Sequence, residues 1–166
     1  MIEGDFVSGL EIIDQAIQIA YTHPIQTTYY LSACLQAKTT LLIEIGDLDS
    51  AHVIAAENYK LIQERRDLIV GIYVLSSMGN ILFKQGDLSA AKELYQQCLA
   101  SAQDLNERRM EAAQYRDLGE ISLVEGNIEL GIDQLESAAA ISEAINSADI
   151  LVDVTKELGD IFLETA

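Results

Sequence analysis

The sequence predicts an all-α solenoid built from antiparallel helix pairs, about eight helices in one array. The first observation behind this is self-similarity at a period of 40 residues. Gly79–Ala100 reads GNILFKQGDLSAAKELYQQCLA, Gly119–Ala140 reads GEISLVEGNIELGIDQLESAAA, and Thr39–Lys60 reads TTLLIEIGDLDSAHVIAAENYK. Similarity at a fixed period of this length marks stacked units that bury their apolar faces against one another. The second observation is the layout inside each copy: an apolar-periodic segment, a Gly-Asp or Gly-Asn pair, and another apolar-periodic segment.

The turn is Gly46-Asp47-Leu48, then Gly86-Asp87-Leu88, then Gly126-Asn127-Ile128. Glycine past a helical pattern takes the left-handed conformation that ends a helix. The Asp or Asn after it can accept from the free N–H groups that open the next one. On the first helix of the central copy Leu75, Met78, Gly79 and Leu82 share a face; on the second Ala91, Leu94, Tyr95 and Cys98 do. Gly79, Gly119 and Gly159 recur on first helices, and Ala51, Ala91 and Gly131 on second helices. A mid-helix glycine costs about 1 kcal/mol against alanine, so its recurrence calls for close helix approach.

Through Gly79, the packing positions around Tyr95, Gly86-Asp87, Ala91 and Cys98, the chain resembles the tetratricopeptide repeat family. The family's repeat is about 34 residues; the 40-residue period here resembles its long-helix variant, found in sensor regions of bacterial regulators and in signalling adaptors. The resemblance covers essentially the whole chain. It implies a right-handed superhelix whose first helices line a concave groove that takes extended peptides or partner helices.

Taken in order, residues 1–24 form a half repeat, with Gly4-Asp5-Phe6 in the place of the turn and Gly9, Ile13 and Ala16 at the packing positions. Two additional residues fall at Thr22-His23-Pro24, where proline opens a new helix. Complete repeats follow at 25–66, 67–106 and 107–146, and 147–166 is a lone first helix carrying Leu158-Gly159-Asp160-Ile161. The array thus begins and ends in mid-repeat, as an excised piece or as one capped by its half repeats.

Composition narrows the class. Of 166 residues 49% are hydrophobic, one is proline and none is tryptophan, enough apolar content for a continuous core. No run approaches the roughly 18 uninterrupted apolar residues of a membrane span, and the acidic N-terminus is no secretory signal. Cys34 and Cys98 lie in different repeats without metal-spaced neighbours, which predicts reduced packing thiols in a cytoplasmic protein. Charge is uneven: residues 1–31 carry net −4, residues 32–110 net −2 and residues 111–166 net −11. Such a surface repels phosphates, against direct nucleic-acid binding. The acidity reads first as a solvated outer face and second as a docking surface for a basic partner.

Catalytic constellations are not in view. His23 and His52 have no converging partners, and the chain contains no GxxxxGK[ST], GxSxG or HExxH. The expectation is a non-enzyme with no cofactor and no metal. Arg65-Arg66 and Arg108-Arg109 flank helix junctions and read as helix-end charge balancing.

The informative surface is the second stripe of each first helix: Ala33, Gln36, Thr40 and Ile43; Tyr73, Ser76, Asn80 and Phe83, with Lys84 beside them; Ala113, Arg116, Glu120 and Leu123; Asp153, Lys156, Asp160 and Leu163. Its chemistry is mixed, as a binding surface requires. The row Ile43, Phe83, Leu123 and Leu163 reads equally as core or as an apolar groove floor. Some family members grip a C-terminal carboxylate with Lys and Asn on successive first helices. Asn80 fits one such position, but Ser76 stands where Lys is needed and Glu120 repels a carboxylate, so that clamp is not expected.

The expected function is a non-enzymatic interaction scaffold holding a peptide or partner helix in the groove. The alternatives are a ligand- or peptide-sensing module of a larger signalling protein or transcription regulator, and a module that self-assembles through its end helices. The apolar positions Ile150, Leu151, Val154, Leu158, Ile161 and Phe162 suggest a weak homodimer through the last helix.

Overall fold

A computed structural model describes residues 2–22 and 27–165, and within them every element is an α-helix. The order is α1 (Ile2–Thr22), α2 (Thr27–Ile45), α3 (Leu48–Arg65), α4 (Leu68–Gln85), α5 (Leu88–Asp104), α6 (Arg108–Val124), α7 (Ile128–Ile145) and α8 (Ala148–Thr165). By sequence position α2 and α3 fall within residues 25–66, α4 and α5 within 67–106, and α6 and α7 within 107–146, with α1 and α8 in the terminal segments. The expected turn at Gly4-Asp5-Phe6 is not one: these residues lie inside α1. Acidic residues are favoured in a helix's first turn, so a Gly-Asp pair there does not interrupt it. The predicted start at Pro24 lies outside the described residues.

The turns follow backbone chemistry. Gly46, Gly86 and Gly126 have φ of 88°, 86° and 82°. After each, the next residue's N–H reaches back to close the helix end: Asp47 to the Leu42 carbonyl at 3.0 Å, Asp87 to Leu82 at 3.0 Å, Asn127 to Ser122 at 2.8 Å. This is the double closure that a left-handed residue makes possible. Asp47 then accepts from the Ser50 N–H and caps α3. Asn127 makes no such side-chain bond, contrary to expectation. A second series, also one repeat apart, ends the second helices: Arg66, Asn106 and Asn146 take φ of 57°, 53° and 56°. Asn tolerates this region; at Arg66 the side chain costs roughly 1 kcal/mol.

The chain divides into two compact units, residues 1–87 and 88–166. In the first, Ile17, Ala20, Leu31 and Leu35 join α1 to α2, and Leu42, Ile43, Ala51, Ala55 and Ile81 join α2 to α3 and α4. Ala51 is fully buried, as its small-residue register requires. The buried Asn58 amide donates to the Ser32 carbonyl at 3.2 Å, tying α3 to α2. By length and composition α4 could cross a membrane. Its Ile72, Val74 and Ile81 are instead buried, and Ser76, Ser77 and Asn80 interrupt its apolar sequence, as befits a core helix.

In the second unit Ala112, Leu135, Ala138, Ile141, Ile150 and Val154 form the core, with Leu123, Leu158 and Ile161 packed against it. Ala91, Tyr95 and Cys98 are buried on α5. Gly119 and Gly131 mark the closest helix approach: a Cβ on Gly119 would sit 3.0 Å from Leu135 Cγ, and one on Gly131 2.6 Å from Leu123 Cδ2. Gly159 departs from this pattern, since a Cβ there meets nothing within 4 Å; its register is kept, but no described helix packs on it as α7 packs on Gly119. On the last helix Ile150 and Val154 are buried, and among the described side chains Val152 and Leu163 are large, apolar and exposed.

Candidate functional site

In the first unit the stripe runs along α2 and α4. Gln36 is half-buried and its amide donates to the Ser77 hydroxyl; Thr40 is exposed and bonds back to the Gln36 carbonyl at 3.1 Å. On α4 Tyr73, Asn80 and Phe83 are half-buried and Lys84 is exposed. Ser76 is only 8% exposed, so it lies beneath the stripe and not on it: α4 is rotated so that Ser76 and Ser77 both face the packed side. Ile43 belongs to the core.

In the second unit the stripe falls on α6 and α8, and it opens into a cleft of about 350 Å³ lined by Arg116, Glu120, Asp153, Lys156, Glu157 and Asp160. Arg116 is tied down from two sides. Its Nη2 and Nε donate to the buried Asp117 carboxylate at 2.7 and 3.1 Å, and its Nη1 reaches Asp153 of α8 at 3.2 Å. The Gln114 amide lies 3.4 Å from the other Asp117 oxygen. Burial pushes the Asp117 carboxyl up, against the pull of Arg116. Arg116 itself would lose its proton more readily on burial, but Asp117 outweighs this and raises it.

Glu157 is the residue the sequence reading missed. Its Oε2 is buried and has no hydrogen-bond partner. Burial first, and then the charge of Glu120, push its carboxyl up to about 7, with Arg116 opposing. The same acidic surroundings act on the core beneath: burial, reinforced by Asp117, raises the Cys98 thiol to about 12. A thiol so placed is inert at neutral pH.

The apolar row of the stripe is not continuous. Ile43 is core, Leu123 covers Gly131, and Leu163 is 80% exposed. At the helix starts, Arg109 forms a bidentate pair with Asp149, one repeat away, and donates to Ser147 at 2.8 Å. These bonds hold the Asp149 carboxyl far below the usual carboxylate range. Arg108 pairs with Glu111 three residues on. Charge balancing at helix ends is therefore present, and for Arg109 it spans two repeats. Cys34 and Cys98 are free thiols, and no group of three or more His, Cys, Asp or Glu side chains among the described residues is arranged to hold a metal.

With eight helices and no strand among the described residues, the protein is of the all-α helical-repeat (solenoid) fold class, and solved structures agree. It superposes on BtubC (BKLC) from P. vanneervenii with a TM-score of 0.77 at 16% identity, covering 96% of this chain and 66% of that one. It superposes on aspartyl phosphate phosphatase F from Bacillus subtilis with a TM-score of 0.74 at 15% identity, covering 88% of this chain and 38% of that one. The chain thus spans less than two thirds of either protein, and at these identities the likeness is one of fold. No protein-family model matches the sequence, and no curated protein matches it.

Proposed function

We propose that this is a tetratricopeptide-type repeat protein acting as a non-enzymatic scaffold in the cytoplasm, holding a peptide or partner helix along the inner stripe of its first helices. The observation that carries this reading is the α6/α8 cleft, where side chains at matching positions of successive first helices line one open concavity. The half-buried Tyr73, Asn80 and Phe83 supply the same kind of surface in the first unit, and aromatic side chains are the usual anchors of interfaces. The free cysteines support a reducing compartment. A second reading, a sensing module within a larger regulator, is favoured by the fold shared with a much longer bacterial chain.

Affinity capture from the native host tests the scaffold reading, using the wild-type chain and a Tyr73→Ala/Lys156→Ala variant as baits. The expected result is a small set of proteins enriched on wild type and depleted on a variant whose helicity is unchanged. Equal capture by both baits would exclude the stripe as the binding face.

A further inference from the structure

The second-helix side of the first unit carries a groove that the stripe of the first helices does not use. It runs between α1 and α3 over α2 and encloses about 500 Å³. Leu10, Leu42, Val53 and Ile54 line it, with the exposed Asp49 of the first turn of α3 beside them. Its one cation, Lys38, is paired with Asp14 at 2.6 Å. Asp49 takes part in no ion pair among the described residues. Val53 is 64% exposed, at the register where α5 and α7 carry the exposed acids Glu93 and Asp133. On α3, where it borders the groove, an aliphatic side chain thus stands in place of a solvated acid.

The complementary chemistry lies at the other end of the same helix. Arg65 and Arg66 close α3, exposed and without an ion pair among the described residues. Leu68, at the start of α4, is 67% exposed, where the other repeats place Arg108 and Ala148. Arg66 is held at φ 57°, and its register mates are Asn106 and Asn146. Asparagine enters that region more readily than arginine, so the reason for an arginine lies in its side chain.

We infer that the groove takes the corner at 65–69 of a second copy of this chain, in a closed two-fold dimer. Leu68 fills the aliphatic groove, and Arg65 and Arg66 face Asp49. Asp49 and Arg65 lie at opposite ends of α3, roughly 24 Å apart at 1.5 Å per residue. A two-fold axis across the middle of α3 therefore sets each groove opposite the other copy's corner, and the contact is made twice, as a closed dimer requires. An anionic occupant would meet Asp49 with Lys38 already committed to Asp14. The net charge of −17 on each copy opposes association and keeps it reversible. The inner stripe stays open in this arrangement, so the dimer is independent of the scaffold reading.

The test is sedimentation of the full chain at rising concentration, with circular dichroism as the control for folding. The expected result is a reversible monomer–dimer equilibrium. Val53→Glu, which restores the charge that α5 and α7 carry at this register, should abolish the dimer and leave helicity unchanged. Asp49→Lys alone and Arg65→Glu/Arg66→Glu alone should each weaken it at least about tenfold, because like charges then face one another. An equimolar mixture of these two variants should recover the dimer, since each groove then meets a corner of opposite charge. Val152→Glu, on the exposed face of α8, should change the equilibrium less than twofold. A chain that stays monomeric at every concentration would overturn the inference. So would a dimer lost with Val152→Glu and kept with Val53→Glu, or a mixture that fails to recover it. Species larger than a dimer would overturn the closed arrangement. Capture that depends on Tyr73 would stand through each of these failures.

Discussion

Gly119 on α6 and Gly131 on α7 approach so closely that a Cβ on either would lie 3.2 Å from the other's carbonyl oxygen. This backbone contact gives the recurring small residues their physical reason: the pair of helices closes over Leu135 and Leu123 with no room for a further methyl group.

The two glycines of the same register, Gly119 and Gly159, should therefore respond in opposite senses. Gly119→Leu drives a side chain into Leu135 and the Gly131 backbone and should destabilise by about 3 kcal/mol. Gly159→Ala meets open space on an exposed helix face and should stabilise by roughly 0.5–1 kcal/mol through helix propensity. Chemical denaturation measures both; equal and small effects would contradict the repeat register.

Arg116→Ala should behave as a core substitution although it sits on the stripe. It strips the buried Asp117 of its two strongest donors, and an uncompensated buried carboxylate costs about 3 kcal/mol. Adding Asp117→Asn should recover most of that loss, which a double-mutant cycle reads directly. Simple additivity of the two substitutions would show that the pair is not coupled.

Glu157 makes the fold sensitive to pH in a defined direction. Its folded carboxyl, at about 7, titrates above the unfolded value of 4.5. The folded state then binds more protons between these values, and stability falls as pH rises across that window. Discounted for the group's partial exposure, the effect is about 1 kcal/mol. Glu157→Gln should match the wild type near pH 4, exceed it by about that amount at pH 8, and open the gap between them. A gap that is constant with pH would contradict the shift.

The fold was legible because its punctuation is glycine: Gly46, Gly86 and Gly126 need positive φ, and nothing else in the repeat announces a turn so clearly. The matching series Arg66, Asn106 and Asn146 has the same spacing but was not read as caps, since arginine carries no left-handed signal. The site was half legible. Arg116, Glu120, Asp153, Lys156 and Asp160 follow from helical periodicity, which selects positions three and four apart. Asp117 and Glu157 are immediate neighbours of stripe residues, and periodicity assigns them elsewhere. Only the bend of the Arg116 side chain and the depth of the cleft bring them in. Ser76 fails for the converse reason, as periodicity cannot tell how far a helix is rotated toward its neighbour.

The claim that the inner stripe of the first helices is the binding face is tested most directly by site-specific photo-crosslinking in the native host. A benzoylphenylalanine at Asn80 on α4 or Lys156 on α8 should trap the same protein partner. One at His52, exposed on α3, should trap none of it. Adducts to that partner from His52, with none from Asn80 or Lys156, would move the binding face to the second helices and contradict the account.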